Sequence, residues 1–401
     1  MQQNLTKAPV PDNVPPELVF DFNVYAPENG ETALHDAWFK LRQSAPSFIW
    51  TPYHGGHWLP TRFEDIDYIQ RNHDPFSMRD ITMPANLRPS RILPLESDPP
   101  EHLGYRMVLN PFFTPSRSAA YEQHARDLAV ELIEAFKPQG RCEFMQDFAL
   151  QMPIAIFMKM TNLPMADAPK LLEYAEMAAR GGPDVSAKAQ QLMVAYIMPV
   201  VEERRATPGD DILSAIIHAK VRKEPIEFAD MIGMILIILF GGLDTVASTM
   251  GFMAKFLAEN PAHRRRLIDQ PDLIPAAVNE MMRRFAPSNT ARTLSRDFEY
   301  KGIRFKQGDK VYVSAFLAGI DDDKYDNAWE IDFDREKVEH NSFGAGPHRC
   351  PGQLLALVEL RVFVEEWLAR LPDFRVSASD PPLYGPGQVN CMARLVLEWD
   401  A

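Results

Sequence analysis

The chain has 401 residues, of which 46% are hydrophobic and 24% are charged, and its formal net charge is −13. A chain of this length and composition can bury a large core, and its acidic balance argues against nucleic acid or an anionic membrane as the main partner. The three cysteines, Cys142, Cys350 and Cys391, form no CxxC pair, which excludes a disulfide framework and a zinc spacing and fits a reducing cytoplasm.

The pattern of apolar residues along the chain predicts a mainly α-helical protein with small β-sheets. The N-terminal segment 1–18 is polar and rich in proline, which indicates an extended segment and neither a signal peptide nor a membrane anchor. Helical spacing predicts helices over 119–136, 187–206 and 354–371. Strands are predicted over 47–53, 56–61, 298–305, 310–316 and 392–399. No linker or repeat divides the chain, so we expect one domain spanning 1–401.

The longest apolar run is MIGMILIILFGGL, residues 231–243, and Asp244 follows it directly. Thirteen residues are too few to cross a bilayer, so this run predicts a buried core helix. The helical pattern continues beyond Asp244 through VASTMGFMAKFLAEN, which argues against a helix end at the two glycines.

The loop FGAGPHRCPG, residues 343–352, surrounds Cys350 with glycines. Four interpretations are open: a buried apolar filler, a nucleophile paired with a histidine, a phosphate-binding loop, or a thiolate ligand to haem iron. The nucleophile pair is disfavoured because His348, two residues away, points in a different direction. The phosphate loop fails because Arg349 stands where a third glycine belongs.

A thiolate ligand fits the loop best. Glycines allow the backbone to approach a flat macrocycle, and Phe343 can pack beside the sulfur to keep water away. The helix predicted to begin near Gly352 would direct its positive N-terminal end at Cys350 and lower the pKa of the thiol.

The pattern Phe343-x-x-Gly346-x-x-x-Cys350-x-Gly352 resembles the haem-binding signature of the cytochrome P450 monooxygenases. The resemblance extends over nearly the whole chain and is closest to the bacterial camphor-hydroxylase branch, through SDPPEH, LFGGLDTVAS, RRF and LEWD. It implies the cytochrome P450 fold, a single helical prism around haem b, with Cys350 as the iron ligand.

The segment NEMMRRF contains Glu280-x-x-Arg283, which by itself is typical of an exposed ion pair on a helix. In the family this pair precedes the cysteine at a similar distance and forms a buried network with an arginine. The resemblance therefore implies a structural network of Glu280, Arg283 and Arg335.

The end of the apolar run, Gly241-Gly242-Leu243-Asp244-Thr245, resembles the acid–alcohol motif of the P450 distal helix. Glycines inside a helix cost up to about 1 kcal/mol each relative to alanine, so a steric reason is expected, here room for dioxygen and substrate. The resemblance implies that Thr245 hydrogen-bonds dioxygen and that Asp244 relays protons for cleavage of the O–O bond.

Haem propionates are anions and need cationic partners. Taken singly, a basic residue is typical of a solvated surface. The resemblance implies that four residues serve the propionates, namely His102, Arg106, Arg292 and His348. It assigns Phe343, Gly346 and Gly352 to the cofactor loop.

The resulting hypothesis is a haem-thiolate monooxygenase that inserts one oxygen atom from dioxygen into an apolar C–H bond. A non-catalytic haem sensor and a peroxide-driven peroxygenase are the alternatives, and the retained Asp244–Thr245 pair argues against both. The sequence contains no flavin or nicotinamide fingerprint, so the resemblance implies a [2Fe–2S] ferredoxin with an NADH-dependent reductase as partners. We expect a cytoplasmic monomer that binds neither nucleic acid nor membrane.

The resemblance also indicates where this chain departs from the camphor enzyme. Arg106 and Lys337 match basic residues on the face of the camphor enzyme on which its ferredoxin docks. Two other residues that are basic on that face of the camphor enzyme are replaced here by Asp67 and Leu357. A tyrosine that binds the ketone of camphor corresponds to Ser90, which is too short to reach it. We therefore predict a larger terpenoid or norisoprenoid-like substrate, in a pocket lined by Ser90, Ile237, Phe240, Gly241, Ser288 and Val389.

Overall fold

The computed structural model describes residues 6–84, 91–180 and 183–400. Most of this chain is helical. The α-helices are, in chain order, α1 (Leu34–Ser44), α2 (Phe63–Arg71), α3 (Glu101–Leu109), α4 (Pro115–Ala120), α5 (Glu122–Phe136), α6 (Gln151–Thr161), α7 (Ala168–Arg180), α8 (Pro183–Ala206), α9 (Ile212–Ile217), α10 (Phe228–Glu259), α11 (Pro261–Asp269), α12 (Ile274–Arg284), α13 (Ala315–Gly319) and α14 (Gln353–Arg370).

The strands are short and form small sheets. They are β1 (Phe48–Thr51), β2 (His57–Pro60), β3 (Phe76–Ser77), β4 (Arg141–Glu143), β5 (Lys220–Val221), β6 (Glu224–Pro225), β7 (Asn289–Leu294), β8 (Phe298–Tyr300), β9 (Ile303–Phe305), β10 (Lys310–Ser314), β11 (Arg375–Val376), β12 (Leu383–Gly385), β13 (Cys391–Arg394) and β14 (Val396–Glu398). The largest sheet has five strands in the order β1-β2-β10-β7-β3. The predicted class, mainly α with small β-sheets, is confirmed.

Helix α10 runs through the core, contains the predicted apolar run and continues to Glu259, as the helical pattern beyond Asp244 indicates. It packs against α6, α11 and α14 and against β13. It ends at Glu259 because Asn260 precedes Pro261, and a residue before proline is pushed out of the helical region. Among the described helices it alone is long and apolar enough to cross a membrane, but 56% of its most apolar window is buried inside the protein. Its apolarity is that of a core helix.

The segment predicted as one strand over 392–399 forms two strands in different sheets, so that prediction was wrong. β13 pairs with β12, whereas β14 pairs with β11 and β4. Leu395 lies between them, and its N–H donates to the Glu143 carboxylate at 2.8 Å instead of to a neighbouring strand. At Leu395 the Glu143 side chain therefore replaces a backbone partner from a neighbouring strand. This allows the chain to pass from the sheet of β13 to the sheet of β14.

Strand β7 was missed by the sequence interpretation. Its sequence, NTARTL, is too polar to give an apolar alternation, yet it pairs with β10 over five residues, from Thr293 with Lys310 to Asn289 with Ser314. The pairing, and not the local sequence, makes this segment a strand. It also positions Arg292, one of the predicted cationic residues.

A candidate haem-thiolate site

The loop before α14 holds Cys350 by backbone hydrogen bonds. The Cys350 N–H donates to the Phe343 carbonyl at 2.8 Å, and the Gly344 N–H donates to the Asn341 carbonyl at 2.9 Å. Gly344 and Gly346 have φ angles of +70° and +68°, in the left-handed region that favours glycine. The loop thus closes on itself and presents the cysteine just before the first turn of α14. Phe343 is half-buried, with its ring 6.0 Å from that of His340.

Gly346 has a second reason to be glycine that the sequence did not reveal. A Cβ atom there would lie 2.7 Å from the Arg71 Cα and 2.9 Å from the Gln70 carbonyl, both in α2. At Gly352 a Cβ would lie 3.8 Å from the Cys350 sulfur, an ordinary contact. Gly346 therefore lets the loop press against the backbone of α2, in addition to any approach to a cofactor.

Cys350 is accessible to solvent, whereas Cys142 and Cys391 are buried. Desolvation nevertheless raises the pKa of the Cys350 thiol, because surrounding protein groups displace water from the neighbourhood of the sulfur. The Gly352 N–H and the cations of Arg106 and Arg349 act in the predicted, lowering direction. The expectation of a lowered pKa was wrong because desolvation outweighs these effects in the free thiol. A coordinating metal ion removes the thiol proton outright.

The four predicted propionate residues converge beside the cysteine loop. The rings of His102 and His348 lie 4.3 Å apart, and Arg106 Nη1 donates to the Arg349 carbonyl at 2.8 Å. Burial, and then the neighbouring Arg292, His102 and Arg106, lower the pKa of His348 far below its usual value. Burial and Arg106 lower the pKa of His102 to about 4.

Two members of this cluster, Arg292 and His348, have buried polar groups that the neighbouring side chains do not fully satisfy. Arg292 is 3% exposed, and its Nη1 donates to Thr290 Oγ1 at 2.9 Å and to the Ala291 carbonyl at 3.2 Å. Burial lowers its pKa to about 10, and among the described side chains no carboxylate forms an ion pair with it. Both ring nitrogens of His348 are buried without a hydrogen-bond partner in the described part of the chain. A buried anionic group is stabilised by a cation and by hydrogen-bond donors, and the buried Arg292 and the unpartnered ring nitrogens of His348 can provide both. These residues therefore fit the propionates of haem.

Two further residues belong to this cluster and were not predicted. His73, which follows α2, is half-buried and acts electrostatically on both His102 and His348. Asp98 accepts from Ser77 Oγ at 2.6 Å and from the Met78 N–H at 2.9 Å, and it favours the charged form of Arg292. Neither residue was expected in the cluster, because each reaches it only through the fold.

The distal residues lie on one stripe of α10. Ile237, Phe240, Gly241, Asp244 and Thr245 occupy helical positions i, i+3, i+4, i+7 and i+8, and all five are half-buried or exposed, whereas most of their neighbours between Met231 and Ala258 are buried. A Cβ at Gly242 would meet no atom within 4 Å, and one at Gly241 would meet only the Ile237 side chain, at 3.6 Å. The stripe therefore borders open space in the middle of the core.

Thr245 carries a hydroxyl that is oriented by the helix. Its Oγ1 donates to the Gly241 carbonyl at 3.1 Å. The proton is directed at the backbone, so the oxygen lone pairs remain to accept a hydrogen bond from a molecule in the cleft. Thr249, one turn later, makes the same bond to the Thr245 carbonyl at 2.7 Å but is only 2% exposed.

Two predicted pocket residues from distant segments are brought together. Ser288 and Val389 form an isolated antiparallel bridge, which the bond from the Asn289 N–H to the Gln388 carbonyl at 2.7 Å supports. Both residues are half-buried. Ser90 lies outside the described residues.

The predicted network is present and buried. Glu280 is 1% exposed and Arg283 is fully buried, with Nη2 of the arginine 2.7 Å from Oε1 of the glutamate and Nε 2.8 Å from Oε2. Arg335 Nε donates to Glu280 Oε1 at 3.1 Å. Arg283 also donates to the carbonyls of Gly319, Ala328 and Glu330. The network joins α12 to the loops after α13, which lead into the cysteine loop.

Removing one partner of this network is expected to leave a buried charge unpaired. Glu280→Gln should lower the free energy of unfolding by about 3 kcal/mol, the scale for breaking a buried ion pair. The exposed helix pair Arg265–Asp269, 72% and 53% exposed, offers a matched control. Asp269→Asn should cost less than about 0.5 kcal/mol. Urea unfolding followed by circular dichroism would measure both, and equal small effects would show that the buried network does not stabilise the fold.

A family model described as Cytochrome P450 matches residues 184–383. A curated relative, the probable cytochrome P450 127A1 of Sinorhizobium fredii, is 30% identical over 403 residues, covering 98% of this chain and 97% of that one. The steroid C26-monooxygenase of Mycolicibacterium smegmatis is 29% identical over 332 residues, covering 80% of this chain and 82% of the other.

Two solved structures have the same fold. The crystal structure of CYP101J2 superposes with a TM-score of 0.91 at 36% sequence identity, covering 98% of this chain and 100% of the other. That of CYP101C1 has a TM-score of 0.91 at 32% identity, with the same coverage.

Proposed function

This chain belongs to the cytochrome P450 monooxygenase family, and on that premise we propose that it hydroxylates a small apolar substrate of terpenoid or norisoprenoid type with electrons from a ferredoxin. The reaction consumes substrate, dioxygen, two electrons and two protons and releases the alcohol and water. Members of the family are oxidoreductases that use haem b and need a redox partner. The two CYP101 neighbours agree with the predicted camphor-hydroxylase-like branch.

Haem b, when bound, supplies the redox-active iron at which dioxygen is activated, and a thiolate ligand favours O–O cleavage. In our proposal Cys350 provides that thiolate. The propionate carboxylates of haem are held in this proposal by His102, Arg106, Arg292 and His348. They would provide an anionic partner for the buried Arg292 and hydrogen-bond partners for the ring nitrogens of His348. Gly352 leaves the loop backbone free of a side chain beside the sulfur, and Gly346 lets the loop pack against α2.

The observation that carries the catalytic part of the proposal is the open stripe of α10. Ile237 and Phe240 give it an apolar section, where burial of the apolar surface of a substrate away from water lowers the free energy of binding. One turn further, Asp244 and Thr245 give it a carboxyl and a hydroxyl. Asp244 relays protons into the cleft, and the Thr245 oxygen accepts a hydrogen bond there because its own proton is held by the Gly241 carbonyl.

We propose a [2Fe–2S] ferredoxin, reduced by an NADH-dependent flavoprotein, as the electron donor. Support comes from the sequence, which contains no nicotinamide- or flavin-binding fingerprint of its own. A cytoplasmic location is part of the proposal, and the three free cysteines fit it.

Turnover with the ferredoxin system, compared with turnover with hydrogen peroxide, tests the proposal against a peroxygenase. With ferredoxin, reductase and NADH, the protein should convert a terpenoid substrate, whereas hydrogen peroxide alone should give little product. Faster product formation with peroxide than with the ferredoxin system would favour the peroxygenase. No product with either system would favour a haem-binding protein without catalysis.

Ferric spin-state titrations test the substrate class. Serine is too short to replace a tyrosine as the donor to the ketone of camphor, so camphor should bind roughly three- to tenfold more weakly than to a site with that tyrosine, the cost of about 0.5–1.5 kcal/mol for one neutral hydrogen bond. The volume left by the missing ring should favour a larger ligand, so an ionone should bind more tightly than camphor. Ser90→Tyr should reverse part of this difference by restoring the donor. Tighter binding and fuller high-spin conversion with camphor in the unmodified protein would contradict the predicted substrate class.

A further inference from the structure

The loop of residues 91–96 lies directly on the first two turns of α10. A Cβ atom at Gly233 would lie 2.5 Å from the Arg91 carbonyl oxygen and 3.4 Å from the Leu93 nitrogen, so glycine is required for this close approach. Leu93 is fully buried and belongs to one apolar cluster with Met234 of the helix. The 91–96 loop is therefore packed against the helix that carries the open stripe.

The same apolar cluster reaches the stripe itself. Ile237 and Phe240, which we propose line the pocket, pack against this cluster. The loop also keeps its own shape, because the Ile92 N–H donates to Glu96 Oε2 at 2.7 Å and the Glu96 N–H donates to the Ile92 carbonyl at 2.8 Å. A shift of the 91–96 loop would therefore change the packing behind the pocket.

Arg91 joins the 91–96 loop to two helices by charge. Its Nη2 donates to Glu101 Oε1 at 3.1 Å and its Nη1 donates to Glu101 Oε2 at 3.3 Å, a two-point pair with the first residue of α3. Nη2 also lies 3.7 Å from Oδ1 of Asp230, in the first turn of α10. The Tyr105 hydroxyl of α3 donates to the same Asp230 carboxylate. One arginine of the loop thus bridges α3 and α10.

Arg91, Glu101 and Asp230 form an ion cluster at the edge of the solvent. The Arg91 side chain is 39% exposed, and those of Glu101 and Asp230 are 17% and 20% exposed. The hydrogen bond from Arg91 holds the pKa of Glu101 below its usual value. Fully exposed ion pairs contribute little, whereas a two-point pair between arginine and a mostly buried carboxylate is stronger and is still screened by salt. The ion cluster can therefore hold the loop and remain sensitive to ionic strength.

We propose that the ion cluster holds the 91–96 loop against α10 and thereby sets how fast an uncharged substrate leaves the pocket beside the stripe. Its three members are positioning residues, because they act through the loop and not by contact with the substrate. This inference rests on the proposed function, in which an apolar substrate occupies that pocket. Because such a substrate carries no charge, a salt dependence of its escape that differs between variants reports on charges of the protein.

The dissociation rate of an uncharged ligand tests the ion cluster. The probes are an ionone and, in mildly alkaline buffer, phenylimidazole, and stopped-flow absorption of the ferric haem protein follows the departure of each. In Arg91→Gln the dissociation rate constant should rise about three- to tenfold. In the unmodified protein the rate constant should increase with sodium chloride concentration, and in Arg91→Gln this increase should be absent.

Arg296→Gln is the matched control. Arg296 Nε lies 3.2 Å from Asp74 Oδ1 in an exposed pair, with side chains 55% and 67% exposed, and Arg296 lies between β7 and β8. This variant should keep the dissociation rate and its salt dependence. An unchanged rate constant in Arg91→Gln, or the same acceleration in Arg296→Gln, would overturn the proposal.

A double-mutant cycle tests whether the two charges act as one unit. Glu101→Gln alone should accelerate dissociation, and its addition to Arg91→Gln should add little, because both substitutions remove the same interaction. Independent effects whose free energies add would contradict a shared ion cluster.

Two further measurements separate this inference from the proposed function. If the ionone gives no spin-state shift in the unmodified protein, the proposed substrate class fails, and phenylimidazole still measures the ion cluster. Hydrogen exchange of the amides in the 91–96 loop needs neither probe. It should be faster in ligand-free Arg91→Gln than in the ligand-free unmodified protein, since the loop loses its bridge to α3 and α10. Equal exchange would show that the ion cluster does not hold the loop.

Discussion

Replacement of Cys350 by alanine is expected to abolish ferredoxin-driven hydroxylation while leaving the protein folded. Cys350 is exposed, unlike Cys142 and Cys391, so its replacement by alanine should cost little packing. Without a thiolate, the electron donation that favours O–O cleavage is absent. Product formation should fall below detection, and circular dichroism should match the unmodified protein.

Cys142→Ala is the matched control for this variant. Cys142 is 4% exposed in β4, and burial raises the pKa of its thiol, as expected of a structural cysteine. Its replacement should lower the free energy of unfolding by about 1 kcal/mol through lost packing and should preserve turnover. Substantial hydroxylation by the Cys350→Ala protein, or loss of it in the Cys142→Ala protein, would contradict the assignment of the ligand.

Changes at Asp244 and Thr245 are expected to separate electron consumption from hydroxylation. Thr245→Ala removes the hydroxyl oxygen that we propose accepts a hydrogen bond in the cleft, so the two electrons should leave as hydrogen peroxide and NADH should still be consumed. Asp244→Asn removes the carboxyl that we propose relays protons, and turnover should slow by about 10²-fold. The ratio of product to NADH, with peroxide measured in parallel, gives both results.

Thr249 provides the control for Thr245. It makes the same side-chain bond to a backbone carbonyl one turn later, yet it is buried away from the cleft. Thr249→Ala should therefore keep most of the coupling between NADH consumption and product. Full coupling in Thr245→Ala, or equal uncoupling in both threonine variants, would remove Thr245 from the proposed proton pathway.

The sequence predicted those parts of the molecule whose cause is local. The run from Met231 to Leu243 is apolar on all sides and can only be a buried helix, and α10 indeed contains it. The motif residues Glu280 and Arg283 lie one helical turn apart, so their contact follows from spacing alone. Burial of that pair was expected from the family resemblance and not from spacing.

The remainder depends on contacts between distant segments. Strand β7 exists because β10 pairs with it, and the residues of NTARTL carry no strand pattern of their own. The tight contact of Gly346 with Arg71 could not be read from the loop, since it requires the position of α2. The pKa of the Cys350 thiol was predicted in the wrong direction because helix polarity is visible in the sequence and desolvation is not.

The most direct test of the central claim, that Cys350 binds haem iron as a thiolate, is the absorption spectrum of the ferrous protein with carbon monoxide. We expect the red-shifted Soret band of thiolate ligation in the unmodified and Cys142→Ala proteins and its loss in the Cys350→Ala protein. A thiolate-type band that persists in the Cys350→Ala protein, or its absence from the freshly reduced unmodified protein, would contradict the assignment.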